Sequence, residues 1–158
     1  MTATLSFNTL VGALDQAVTE TLETMFFAEA QLGAPDAPDS EVLRMQVAFS
    51  GDETGTLEMA ISTGTARELA GNFLGLSTSE VSASDLQSVC GELANMICGA
   101  MVSLACPDGH FDLMAPCLLP PGAGPLTGTI ARKFAVDSAG LLEVGVDCRL
   151  FSEEGGSR

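Results

Sequence analysis

Apolar residues in this chain change their period along its length, and that change leaves few folds open. Over residues 8–31, Leu10, Leu14, Val18, Leu22, Met25 and Phe26 recur at helical spacing, with Asp15, Glu20 and Glu23 elsewhere on the surface. Residues 41–50 alternate instead, with Leu43, Met45, Val47 and Phe49 set against Val42, Arg44, Gln46 and Ala48. A loop rich in Gly, Pro and Asp, residues 33–39, separates the two. Ser50-Gly51-Asp52 turns the chain, and residues 54–62 read as the hairpin partner. Helical spacing then returns. Thr63 or Thr65 caps a short helix near 65–74 that ends at Gly75, and a longer helix runs from about 82 to 105. Its apolar stripe is Leu86, Val89, Leu93, Ile97, Ala100, Met101 and Leu104, and Pro107-Asp108-Gly109 stops it. Residues 110–118, 126–137 and 140–151 are strand-like and are separated by turn-rich segments. The order α-β-β-α-α-β-β-β, with short connections between strands, predicts an α+β fold: an antiparallel sheet with the two long helices packed on one face. The length suits one domain over 1–158, with 152–158 as a frayed tail.

Charge narrows the partners. Six basic against 21 acidic residues give a formal charge of −15, which repels nucleic acid and anionic lipid. The same field favours either plain solubility or a basic surface on a protein partner. The N-terminus lacks a basic segment followed by an apolar core, and no uninterrupted apolar run reaches ~18 residues, so neither a signal peptide nor a membrane span is expected. Cys90, Cys98, Cys106, Cys117 and Cys148 include no C-x-x-C pair. The first three recur every eight residues, a drift of about 80° per step around a helix, so they do not converge on a metal. Small buried thiols in a reducing compartment, and hence a cytoplasmic protein, is the expectation.

Little in the sequence can carry chemistry. His110 is the only histidine, which leaves a catalytic triad without a base and a metal site without its commonest ligand. Gly122-Ala-Gly124 lies among prolines with no Lys-Ser/Thr after it, so it is a loop and not a phosphate cradle. Glu92 and Asn95 remain, three residues apart on the long helix. With Ser88 and Gly99 they form a second stripe at i, i+4, i+7 and i+11, off the apolar centre. Asn is a mediocre helix former, an odd choice in mid-helix unless its amide is used. Gly91 and Gly99 each cost about 1 kcal/mol against Ala in a helix. Two glycines beside an exposed Glu and Asn suggest a face flattened so that another protein's backbone can approach.

The stretch Gly91-Glu92-Leu-Ala-Asn95-Met-Ile-Cys-Gly99 resembles the signature of the CheC/CheX chemotaxis phosphatases: Ser or Asp, three residues, Glu, two residues, Asn, then some twenty residues to a Pro. Ser88, Glu92 and Asn95 match it, and Phe111-Asp-Leu-Met-Ala-Pro116 resembles the strand that carries the proline. Pro116 falls slightly early for the interval and Pro120 slightly late. Leu22-Glu23-Thr-Met25-Phe26-Phe27 is similar to the first helix of CheX-like domains.

The resemblance implies a phosphatase acting on the aspartyl phosphate of a CheY-like response-regulator receiver. Glu92 would dock to the receiver's lysine and Asn95 would orient the attacking water, on a helix face supported by Ser88, Gly91, Gly99 and Pro116. The Mg²⁺ would belong to the receiver, and this chain would bind no cofactor. Two-site relatives carry a second Glu-x-x-Asn on the first helix. Here Glu20-Thr-Leu-Glu23 and Glu23-Thr-Met-Phe26 lack the Asn, so one site per chain is implied, closer to CheX than to CheC. A homodimer paired through edges of the strand-rich C-terminal third is implied in the same way. The alternative is a non-catalytic module of the same fold that docks receivers or other signalling proteins.

Overall fold

The computed structural model describes residues 6–35, 41–120, 126, 128, 130–137 and 139–148. In chain order the elements are α1 (Phe7–Met25), β1 (Ala30–Leu32), β2 (Val42–Gly51), β3 (Gly55–Ser62), α2 (Thr63–Leu74), α3 (Ala83–Ala105), β4 (Phe111–Leu113), β5 (Cys117–Leu118), β6 (Ile130–Val136) and β7 (Gly140–Cys148). Every strand pairing is antiparallel, in the order β1-β6-β7-β3-β2-β4, with β5 also paired to β2.

Strand alternation decides which face is covered. Met45, Val47 and Phe49 of β2 are buried, as are Leu57, Met59 and Ile61 of β3 and Leu142, Val144 and Val146 of β7. Register puts these side chains on one face, because Met45 stands opposite Met59 and Met59 opposite Val144. α1 and α3 lie side by side and supply Leu14, Val18, Leu22, Leu93, Ile97 and Met101 to the same core cluster. The expected arrangement of two long helices on one sheet face is therefore present. Arg132, next in that row beyond Val144, also points inward. Its guanidinium donates to both oxygens of Asp15 on α1, Nε at 3.0 Å and Nη2 at 2.7 Å, which ties the helix to the sheet through a half-buried bidentate pair.

Three expectations on boundaries change. The first helix ends at Met25, not 31. Phe27 takes a left-handed φ of 54°, the Ala28 amide bonds back to the Leu22 carbonyl at 3.0 Å, and residues 30–32 become an extra edge strand on β6. No glycine marks that stop, so the apolar period seemed to continue through it. The N-cap position of the short helix is Ser62, without a side-chain capping bond, and not Thr63 or Thr65; the helix does end at Gly75, whose φ is 72°. The expected strand over 110–118 is two short strands broken at Met114–Pro116. The proposed tail 152–158, and most of the loops at 33–39 and 120–125, lie outside the described residues.

α3 is the element that carries the candidate residues. Its start is set by a reciprocal cap: the Ser82 hydroxyl accepts from the Asp85 amide at 3.0 Å, and the Asp85 carboxylate accepts from the Ser82 amide at 3.1 Å. By length and composition alone it is apolar enough to cross a membrane, with a window of mean hydropathy 1.4. Half of that window is buried, against α1 and the sheet, as in the core helix of a folded domain. The buried surface is wider than the apolar stripe, since Cys90, Gly91, Ala94, Cys98 and Val102 are also buried, whereas Leu104 is exposed.

Candidate functional site

Two rows of α3 residues at four-residue spacing come to the surface beside β4 and β5. One is Ser84, Ser88 and Glu92, all exposed. The other is Gln87, Gly91, Asn95 and Gly99, which runs from exposed through buried to half-buried. The stripe expected from sequence is thus present, and it forms the border between the buried and the open sides of the helix.

The second row faces the chain's own β4–β5 segment. A Cβ built on Gly91 would lie 3.1 Å from Cγ of Pro116 and 3.4 Å from Cε of Met45. One built on Gly99 would lie 3.8 Å from Cδ2 of Leu113, an ordinary contact. Asn95 stands one turn from each glycine on the same row. This corrects the expectation that Gly91 flattens the helix for a partner: it is buried, and its missing side chain admits Pro116. Pro116, and not Pro120, is the proline at α3. Pro120 lines a separate recess with Val42, Arg44 and Leu119.

Asn95 is half-buried, and its Oδ1 is shielded from solvent with no hydrogen-bond partner among the described residues. A buried amide oxygen without a partner costs about 1–3 kcal/mol, so its retention asks for a use. Glu92, one turn away and exposed, presents a carboxylate beside it. Neither α3 nor α1 carries a Lys or Arg, so this face has no cation of its own with which to hold a phosphoryl group. Among the described residues no three His, Cys, Asp or Glu side chains gather as a metal site. The thiols nearest the row are poor nucleophiles, since burial pushes Cys90 and Cys98 up to about 12. The chemistry open to this face is therefore hydrogen bonding and positioning.

A shallow groove of about 300 Å³ continues the site toward the start of α3. Ser84, Gln87 and Ser88 line one side, Pro116 and Leu118 the other, with Met45 beneath. Gln87 and Leu118 were not singled out from sequence. The four-residue row through Gly91 and Asn95 would have found Gln87, but Leu118 needed the pairing of β5 with β2.

Known proteins share this fold. Residues 44–121 match the family model described as Chemotaxis phosphatase CheX. The crystal structure of chemotaxis protein CheX from Vibrio vulnificus is similar at a TM-score of 0.70 and 19% identity, over 92% of this chain and 100% of that one. The CheX-CheY-BeF3-Mg+2 complex from Borrelia burgdorferi contains a chain similar at 0.68 and 17%, over 88% and 97%. The matched span is CheX-like, and the chain as a whole has a CheX/CheC-like fold. The fold extends further, since Thermotoga maritima FliY is similar at 0.59 and 11% identity, over 90% and 92%. No curated protein sequence matches the chain. In this CheX-like chain the matched span runs from β2 to just past β5 and so contains the whole of α3, Pro116 and the groove.

Proposed function

We propose that this chain is a phosphatase for the aspartyl phosphate of a CheY-like receiver, with Glu92 and Asn95 as its working residues. The observation that carries the reading is the pairing of an exposed carboxylate with a half-buried amide, on a helix face that has no cation. A phosphatase of this kind requires a substrate protein that supplies its own Mg²⁺ and lysine. Glu92 pairs with that lysine and sets the register. Asn95 enters the receiver's site and holds a water in line with the phosphorus. The water oxygen bonds to phosphorus, the bond to the aspartyl oxygen breaks, and aspartate, inorganic phosphate and a proton leave. For a loose transition state of this type catalysis is positioning and electrostatics, so an amide suffices where a base is absent. By the same resemblance the chain works as a cytoplasmic homodimer with one site per protomer, each within a single domain spanning 1–158.

The test is phosphate release from a phosphorylated CheY-like receiver with Mg²⁺, comparing wild type with Asn95→Ala. Acceleration by wild type alone supports the reading. Binding without acceleration, by either protein, replaces it with the non-catalytic docking module.

A further inference from the structure

The groove between α3 and β5 has no role in the chemistry proposed above, yet it is continuous with the residues that do. Ser84 and Ser88 lie on the same helical row as Glu92, and Gln87 lies on the row of Gly91 and Asn95. Eight residues of helix separate Gln87 from Asn95, about 12 Å at the usual rise. An extended peptide covers that span in about three to four residues.

The lining suits a main chain better than a small molecule. The helix side offers a carboxamide and two hydroxyls, groups that both donate to and accept from peptide amides. The strand side offers Pro116 and Leu118, the latter 43% exposed. An open groove with one polar wall and one apolar wall differs from the enclosed, mostly apolar pockets of small ligands. Its lining holds no cation that could bind a phosphate, and α3 has no basic residue. The phosphoryl group therefore belongs at Asn95, and the groove is left for the protein that carries it.

We propose that this groove seats the stretch of receiver main chain adjoining the phosphorylated aspartate, with Gln87 bonding its peptide groups and Leu118 packing on one of its side chains. The proposal rests on the phosphatase reading, and it makes Gln87 and Leu118 determinants of which receiver is accepted. Both side chains are exposed, so changing them leaves the core intact.

The experiment measures Kd for a beryllofluoride-loaded CheY-like receiver, together with kcat and KM on the phosphorylated form, for wild type, Gln87→Ala, Leu118→Ser and Asn95→Ala. Gln87→Ala and Leu118→Ser are expected to weaken Kd and raise KM about five- to tenfold, as for side chains central to an interface, with kcat within about twofold of wild type. Asn95→Ala is expected to do the reverse, losing kcat with Kd held. Unchanged Kd in both groove variants, beside a wild type that binds and turns over, overturns the groove proposal alone. A wild type that binds without turnover, with both groove variants weakened, keeps the groove and overturns the phosphatase reading. A wild type that neither binds nor turns over overturns both.

Discussion

Gly91 of α3 and Pro116 of the β4–β5 segment face each other so closely that a Cβ at 91 would stand 3.1 Å from the proline Cγ, tighter than an ordinary contact. That contact sets how closely the strand segment approaches the helix on which Glu92 and Asn95 sit. Gly99, two turns on, has only an ordinary contact at 3.8 Å.

The two glycines should therefore respond with opposite sign to the same substitution. Gly99→Ala gains helix propensity and is expected to stabilise by up to about 1 kcal/mol. Gly91→Ala gains the same propensity but presses on Pro116, which must give by a few tenths of an ångström, and overpacking costs about 1–3 kcal/mol. Its expected net effect is a loss of about 1 kcal/mol. Urea unfolding midpoints measure both, and equal shifts would show that the Pro116 contact yields freely.

Asn95→Ala removes a buried acceptor that has no partner among the described residues, and it puts the best helix former in mid-helix. The expected outcome is unchanged or higher stability, by up to about 1–3 kcal/mol, alongside a fall in receiver dephosphorylation of about 10²–10³, by analogy with loss of an oxyanion-hole donor. Thermal unfolding and phosphate release on the same preparation check the pair of effects. A fall in both would place Asn95 among the structural residues.

Because α3 and α1 carry no Lys or Arg, the chain should leave a small acyl phosphate such as acetyl phosphate untouched at a concentration where it accelerates a phosphorylated receiver. Glu92→Gln should raise KM for the receiver about tenfold and make it less sensitive to salt, since a charged contact is lost. Initial rates at two ionic strengths test both statements. Turnover of acetyl phosphate by the purified chain would mean that the metal and cation are not the partner's.

Alkaline pH should weaken the fold in a defined window. Cys90 and Cys98 are protonated in the folded chain up to about 12, against an ordinary thiol value of 9.0. Above pH 9 the unfolded chain sheds these protons while the folded chain keeps them, so stability falls with rising pH at about 1 kcal/mol per unit for each thiol. Below pH 9 both states are protonated and the thiols contribute no slope. The chain has no Tyr to obscure the window. Denaturant unfolding at pH 7, 9 and 10 under reducing conditions should show a flat segment and then a decline, and Cys98→Ala should make the decline shallower.

Most of the fold could be read along the chain because its cause is local. The period-two run at 41–50, the turn at Gly51 and the partner strand form the β2–β3 hairpin. Leu86, Val89, Leu93 and Ile97 face the core, as the helical spacing of α3 implies. What misled was also local. Phe26 and Phe27 extend an apolar period past the end of α1, since a non-glycine left-handed residue leaves no mark in the sequence. Leu104 keeps the spacing of the stripe but is exposed in the last turn of α3. The candidate residues Ser88, Glu92 and Asn95 were legible because four-residue spacing on a helix is a statement about one surface.

The amino-acid sequence by itself determined the element types, the antiparallel pairing of neighbouring strands, the acidic and cation-poor helix face and the Glu92/Asn95 pair. All of these follow from residue type and short-range geometry. Only the tertiary structure decided what Gly91 is for, which of Pro116 and Pro120 lies at α3, that the Asn95 oxygen is buried, and that Leu118 stands across a groove from Gln87. Each of these depends on β4 and β5 returning to pair with β2, a contact across sixty residues of chain or more. No local pattern encodes it, because its stability comes from burying a shared core and not from the residues that happen to meet.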